Sequence, residues 1–460
     1  MKARLLAVSL LGWWLTMAAV SLQPATPSPR GVSGRHVIVV SLDGFPAYVL
    51  QDPKIPLPVM RRLIQEGGVA DGMKPVNPTV TWPNHTAMVT GVNSARNGVI
   101  FNGLPVRGGD GKPIRIEPFI DQNVLVQAKT VYEAAHDAGL TTAQVAWVAI
   151  YRSAAINWAF PEQPRPDGTM EREMVQQGLV TGDDITSFGD SPIPYRDELC
   201  MRAAVHIIER YRPNLLLLHL ETTDAIEHGQ GAKTLGSQVA FILADRQLQR
   251  ILDAIERAGI QKQTTLLVVS DHGFKSNRRH LIRPNALLRQ KGLLRGEGDQ
   301  IDCDAWVVSL DGSAMVYVTR EAKREATLRI LKEAFTSVPG IAKVILPDEY
   351  AQYGYPPAVP QGRMADMVLD AAPGYAFSFK GETTGDVVSD MPAGISPGDH
   401  GYLNTDPDMN AILVAWGAGI RPGSHTGLVP NIDVAATIAH LLQVDLPGSQ
   451  GRLLQDLLDK

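Results

Sequence analysis

The chain has 460 residues, 44% hydrophobic and 20% charged, with a formal net charge of -5. That composition excludes a disordered or fibrous chain. The charge advertises no broad basic surface, so no specific nucleic-acid binding is expected, although a net value does not fix local charge.

The first predicted element is a targeting leader. Lys2 and Arg4 open it, residues 5–20 are uncharged and largely apolar, and residues 21–34 are rich in Ser, Pro and Gly. This order is that of a secretory signal. The apolar run is shorter than the roughly 20 residues that comfortably span a bilayer. The expectation is an exported chain, periplasmic or secreted, with residues 1–25 as signal peptide and 26–35 as a Pro/Ser-rich linker. An uncleaved N-terminal anchor is the alternative. Once the leader is cleaved, no stable membrane span is expected.

Residues 36–41 (HVIVVS) form an unbroken apolar, β-branched run, as in a strand buried on both faces. Residues 57–65 read as a helix. Cys200 lies in an apolar helical pattern with Leu199, Ala203, Ala204 and Ile207. Export permits a disulfide to Cys303, but free thiols are the expectation, and neither cysteine belongs to a metal-type pair. Residues 214–220 (NLLLLHL) form a second strand, followed by a helix at 238–257, and residues 264–270 (TTLLVVS) form a third. Residues 411–416 (AILVAW) form a fourth, followed by a helix at 433–442. Strands alternating with helices predict an α/β fold, a mostly parallel sheet with helices on both faces. The Pro/Gly-rich stretches near 103–128, 159–192 and 278–397 read as irregular insertions that decorate this core.

Parallel α/β sheets place their chemistry beyond the carboxyl ends of the strands. Asp43 follows the first strand, Asp224 the second, and Asp271 and His272 the third. His228, four residues after Asp224, shares a face with it if the segment is helical. With His400 these make three Asp and three His, a donor set suited to Zn2+, with Mn2+ as the second choice. Singly, each is better read as a turn former, a helix cap or a hydrogen-bonded structural residue. Their recurrence at strand ends is what points to a metal centre. Thr81 lies in NPTVTWPNH, residues 77–85. Pro83 suits a first helical turn, which puts Thr81 beside a helix N-terminus that favours anions. A threonine hydroxyl needs a base or a metal to become a nucleophile.

These segments resemble the nucleotide pyrophosphatase/phosphodiesterase family of the alkaline phosphatase superfamily. The motifs are VSLDGF (40–45), PTVTWPNHTAMVTG (78–91), TTDAIEHG (222–229), VVSDHGF (268–274) and GDHGYLNTDPDMNAILVAWG (398–417), in the family's order. The resemblance implies an alkaline-phosphatase-like core with inserted cap segments, and one metallo-phosphodiesterase domain over 36–460. It implies two Zn2+ per chain. Asp43, Thr81, Asp271 and His272 match the ligands of one, and Asp224, His228 and His400 those of the other. Thr81 matches the nucleophile. Asn102 matches the asparagine that donates to a phosphoryl oxygen, and backbone N–H groups near Trp82 are expected to assist it. The implied reaction is hydrolysis of phosphodiester or pyrophosphate bonds in nucleotides or related small diesters, through a phospho-threonine intermediate.

Trp82 and Arg152 are the candidate substrate-binding residues, with a structural role weighed first for Arg152. The chain departs from the family pattern at Glu227, Asn97 and Leu403; none removes a ligand, and Glu227 is expected to alter the rim of the site. The cluster Lys275, Arg278, Arg279 and His280 reads as a solvated loop. Two dications against three carboxylates and a threonine alkoxide leave no surplus charge, which favours a diester over a phosphomonoester dianion. A phosphomonoesterase using Arg152 is the alternative enzyme. Sulfatases need a Cys-x-Pro-x-Arg context that neither cysteine has. A zinc-stabilised binding protein is the non-enzyme alternative, and Thr81 and Asn102 speak against it. The leaving group and the oligomeric state are left open by the sequence.

Overall fold

The computed structural model describes residues 34–276, 279–378, 380–391 and 397–459. The predicted signal peptide, most of the predicted linker, and Arg278 lie outside the described residues.

The apolar runs of the sequence form the middle of an eight-stranded sheet. Its strands are β1 (His36–Leu42), β2 (Gly68–Lys74), β3 (Thr142–Val145), β4 (Trp158–Phe160), β5 (Leu215–Leu220), β6 (Thr264–Val269), β7 (Leu413–Gly417) and β8 (Ser424–Pro430). They lie in the order β8–β2–β7–β6–β1–β5–β3–β4. Every residue of β1, β5 and β6 is buried, because apolar side chains occupy both faces of these central strands. Strand β1 pairs in parallel with β5 and with β6, Val40 lying opposite Leu218 on one side and Val268 on the other. On one face, Ile38, Val40 and Leu42 join a core with Met201, Phe241, Leu248 and Ile251. The last four come from the helices Ile193–Tyr211 and Leu235–Arg257. Helix Asp433–Leu442 packs against β1 and against helix Thr81–Thr90.

Strand β7 runs antiparallel to both its neighbours, β6 and β2. The reason is where the chain comes from. His400 stands at the carboxyl ends of the central strands, a short way before β7 begins, so the chain enters β7 at that edge and can only run back.

The stretch 278–397 is not irregular. Ala305–Leu310, Ser313–Val318, Ile341–Ile345 and Met367–Ala371 form an antiparallel sheet. It has a core of its own, with Val316, Leu369 and, from helix Arg324–Thr336, Phe335. Its first hairpin turns at Asp311-Gly312, with Asp311 in the left-handed region at φ 62°. An Asp-Gly pair between alternating apolar runs is the signal that announces such a hairpin. The stretch near 103–128 likewise holds a hairpin, Leu104–Arg107 with Ile114–Glu117. That near 159–192 holds helix Thr169–Gln176.

The second sheet positions His400, which lies in the segment before β7. The Gly312 N–H donates to the His400 carbonyl at 2.9 Å. A Cβ on Gly401 would lie 1.8 Å from the Leu310 carbonyl oxygen, and its φ is 81°. Only glycine lets the His400 segment approach the hairpin this closely. Cys200 and Cys303 are both buried and unpaired. Among the described residues, no helix is long and apolar enough to cross a membrane.

Candidate active site

The six ligand-type residues meet beyond the carboxyl ends of β1, β5 and β6. Asp43 directly follows β1, and the pair Asp271 and His272 follows β6 after Ser270. Asp224 lies in the first turn of helix Thr222–Gln230, with His228 in its last turn. They separate into two groups, Asp43 with Asp271 and His272, and Asp224 with His228 and His400. Within each group one ligand atom per residue lies within 4.8 Å of the others. His272 Nε2 is 3.5 Å from Asp43 Oδ1 and 3.2 Å from Asp271 Oδ2. Asp224 Oδ1 is 3.5 Å from His228 Nε2 and 3.6 Å from His400 Nε2. The His272 and His400 rings stack at 3.8 Å, so the two groups stand side by side.

The donor atoms fit two cations. Asp43 Oδ1, Asp271 Oδ2, Asp224 Oδ1 and His272 Nε2 are buried with no hydrogen-bond partner. Leaving such atoms unsatisfied is costly, and a cation in each group satisfies them. His400 Nδ1 faces the Thr79 carbonyl at 3.0 Å and His272 Nδ1 that of Gly273 at 3.1 Å. A carbonyl can only accept, so Nδ1 carries the proton and Nε2 offers a lone pair to the site. Without a cation the carboxyls strain against one another. Burial, then the charges of Asp271 and Asp224, push Asp43 well above the usual carboxylate range. Burial also lifts Asp224 to about 7; nearby His272 opposes this and Asp271 adds to it. For Asp271 burial is outweighed by His272, His85 and His219, and its carboxyl falls below its ordinary value. Burial, with His272 and His228, holds His400 well below the usual imidazole range, hence neutral.

Thr81 opens helix Thr81–Thr90, preceded by Val80 in an extended conformation. With Asp43, Trp82, Asn102 and Asp224 it lines a cleft of about 370 Å³. The Trp82 N–H donates to Asn102 Oδ1 at 2.9 Å. That backbone donor is therefore committed to Asn102, and the Asn102 amide NH2 is the group left to donate. Arg152 does not line the cleft. It is exposed, ion-paired with Asp121, and donates to the Phe119 carbonyl at 3.2 Å.

Three supporting groups escaped sequence reading. His219 reaches Asp43 Oδ2 through Nε2 at 2.9 Å and the Ala146 carbonyl through Nδ1 at 3.2 Å. Burial opposes its charge, yet Asp43 raises it to about 10. The Gly44 N–H donates to Asp271 Oδ1 at 3.0 Å, and His85 Nδ1 lies 3.7 Å from Asp271 Oδ2. The signal for His219 was a lone polar residue in a strand otherwise made of leucine. Glu227 is not on the rim. It is fully buried, and burial together with Asp224 and Asp43 holds it well above the carboxylate range. Asn97 is buried, donating to the Val92 carbonyl at 3.0 Å and accepting from the Val99 N–H at 2.9 Å. Lys275 is ion-paired with Asp406, and His280 Nδ1 is hydrogen-bonded to Asp390 Oδ1 at 2.8 Å, so they are not simply solvated.

Residues 37–403 match the family of type I phosphodiesterases/nucleotide pyrophosphatases. The chain belongs to this family. Among its relatives, human ectonucleotide pyrophosphatase/phosphodiesterase family member 5 is 22% identical over 471 residues, covering 100% of this chain and 84% of that protein. Rat family member 1 is 24% identical over 267 residues, covering 57% of this chain but only 26% of the relative. This chain thus spans about a quarter of the family member 1 proteins it matches. The solved structure of murine family member 5 is similar at a TM-score of 0.69, with 19% identity, covering 92% of this chain and 100% of the murine one. The murine protein has also been solved as an inactive threonine-to-alanine variant in complex with AMP. The shared fold is the alkaline-phosphatase-like one, a large, mostly parallel sheet flanked by helices.

Proposed function

We propose that this chain hydrolyses phosphodiester or pyrophosphate bonds, with Zn2+ as the resident ion and Thr81 as the nucleophile. The observation that supports it is a threonine at a helix start, sharing one cleft with Asp43 and Asp224, one from each ligand group, whose Oδ1 atoms are buried with no hydrogen-bond partner among the described residues. Asp43, Thr81, Asp271 and His272 would hold one ion, and Asp224, His228 and His400 the other. Such a pair supplies Lewis-acid polarisation of the phosphoryl group and charge stabilisation for the attacking and leaving oxygens. Thr81 Oγ forms a bond to phosphorus as the leaving oxygen departs with a proton. Water then attacks the same phosphorus and returns Thr81 to its hydroxyl. The Asn102 amide donates to a non-bridging oxygen, held in place by the Trp82 N–H. The helix N-terminus at Thr81 favours the anion. The nucleotide and the threonine-to-alanine replacement in the murine relative support this reading, as does one site drawn from Asp43 to His400, which makes 36–460 a single catalytic domain.

Diesters are expected to be better substrates than monoesters. Two dications are balanced by three carboxylates and the threonine alkoxide, and Arg152, which could neutralise a further phosphate charge, is bound to Asp121. The test is kcat/KM of zinc-loaded protein on a nitrophenyl diester and the matching monoester. Arg152→Ala should change diester turnover little. A preference for the monoester, lost by about 10²-fold in that variant as for a well-placed charged donor, would overturn the diesterase assignment and leave the metal site intact.

The leader supports export, to the periplasm or the medium. N-terminal sequencing of the exported protein is expected to begin between Val20 and Gly34. Met1 retained on a soluble cytoplasmic protein would refute it.

A further inference from the structure

The two ligand groups stand on separate pieces of chain, yet paired ions act on one phosphoryl group only when held about 3.5–4 Å apart. The Asp43 group stands on the turns after β1 and β6, whereas Asp224 and His228 stand on helix Thr222–Gln230, after β5. Strands β1 and β5 are paired as far as Leu42 and Leu220, and the Asp43 N–H adds a last bond to the Leu220 carbonyl at 2.9 Å. There the ladder ends and side chains take over. Thr223 makes the direct link. It is buried, and its hydroxyl donates to the Asp43 carbonyl. The residue next to Asp224 is thereby bonded to the backbone of Asp43, a ligand of the other group. The backbones also approach closely here. A Cβ on Gly44, at φ 66°, would lie 3.2 Å from Asp224 Cα and 3.0 Å from the Phe274 ring.

The same helix start is held from a neighbouring helix. Glu221, which with Glu162 lines the cleft, occupies the cap position, but its side chain makes no cap bond. A buried carboxylate 24 residues earlier in the chain does so instead. Asp197 Oδ1 accepts from the Glu221 N–H at 2.9 Å, and Oδ2 from the Thr222 N–H at 2.9 Å and the Thr222 hydroxyl at 2.5 Å. Asp197 belongs to helix Ile193–Tyr211, which is fixed in the core beneath the sheet through Leu199 and Met201. A cap supplied locally would stabilise the helix equally well. A cap supplied by a packed neighbour also fixes where the helix begins. Thr222 and Thr223, adjacent in sequence, are thus tied to Asp197 and to Asp43.

We propose that Asp197 and Thr223 are positioning residues that set the separation of the two metal groups, Asp197 by fixing the start of the ligand helix and Thr223 by tying that helix to Asp43. The inference rests on the two-ion reading of the site. Neither residue belongs to a ligand group. Both act through the ligands next to their bonds, Asp43 on one side and Asp224 on the other. A misplacement of about 1 Å can cost about 10²-fold in rate, so these links govern turnover without touching substrate.

The test uses the full chain, loaded with Zn2+ for kinetics and with Mn2+ for electron paramagnetic resonance, in which two neighbouring Mn2+ ions give a spin-coupled signal. Thr223→Val keeps side-chain shape and removes the hydroxyl. Asp197→Asn keeps shape and turns one acceptor into a donor. Each variant is expected to bind two ions per chain, to show an altered coupling, and to lose kcat on a nitrophenyl diester by about 10- to 100-fold with KM nearly unchanged. Thr223→Ser, which keeps the hydroxyl, should restore coupling and kcat. Thr223→Ala carries the same test if the valine variant does not fold. A role in stability alone would lower the melting temperature and leave both coupling and kcat, measured well below the melt, as in the wild type. That result in both variants overturns the inference and leaves the two-ion diesterase standing. A wild-type chain without a coupled pair sinks the two-ion reading, and the inference with it.

Discussion

Thr81→Ala is expected to fold normally and to lose turnover by about a thousandfold or more, as when other enzymes lose their nucleophile. Folding should survive because the Thr81 hydroxyl makes no hydrogen bond to the described chain, and the cap position before it is Val80, not Thr81. Alanine is also the better helix former. Turnover should not survive, because among the cleft residues Thr81 offers the one hydroxyl beside both ligand groups. The check pairs a thermal melt, expected unchanged, with hydrolysis of a nitrophenyl diester. Thr81→Ser keeps the hydroxyl and should retain part of the activity. Wild-type rates in the alanine variant would remove the covalent route.

Stripping the protein with a chelator is expected to abolish activity and lower its melting temperature, with Zn2+ restoring both. The stability change follows from the site itself. Asp43, Asp224 and Asp271 are brought together in a buried place where their unpartnered oxygens repel. An ion held about 1,000-fold above its Kd adds about 4 kcal/mol per site to the folded state. His400→Ala should leave the Asp43, Asp271 and His272 group complete, so zinc content should fall from two per chain towards one. Activity should fall by about 10²-fold or more, since loss even of groups that merely support a ligand costs about 10–100-fold. Stripped protein that holds no zinc yet melts and turns over as before would end the metal assignment.

The ends of the central strands were legible because their cause is local. HVIVVS, LLLLHL and TTLLVV carry apolar side chains at every second position on both faces, and only a strand in the middle of a covered sheet can bury them all. The acidic residues that terminate these runs follow directly, and so do four of the ligands. The second sheet was also within reach. Its Asp311-Gly312 turn stands between alternating runs, but a high local density of Pro and Gly made the whole stretch look irregular.

Residue order and side-chain chemistry alone determined the α/β class, the place of Asp43, Asp224, Asp271 and His272 at strand ends, and the position of Thr81 at a helix start. The resemblance implied how the ligands divide, but only the tertiary structure shows how His400 comes to Asp224, through a hairpin turn of the second sheet, far away in the chain. It alone set β7 antiparallel, through the edge at which the chain re-enters. It alone took Arg152 out of the cleft and put Glu162 and Glu221 in. Periodicity records which side of an element is buried, whereas the partner found there depends on which distant segments pack against it. An exposed arginine and a cleft-lining glutamate therefore look alike in sequence until folding gives one Asp121 and sets the other in the cleft with Thr81.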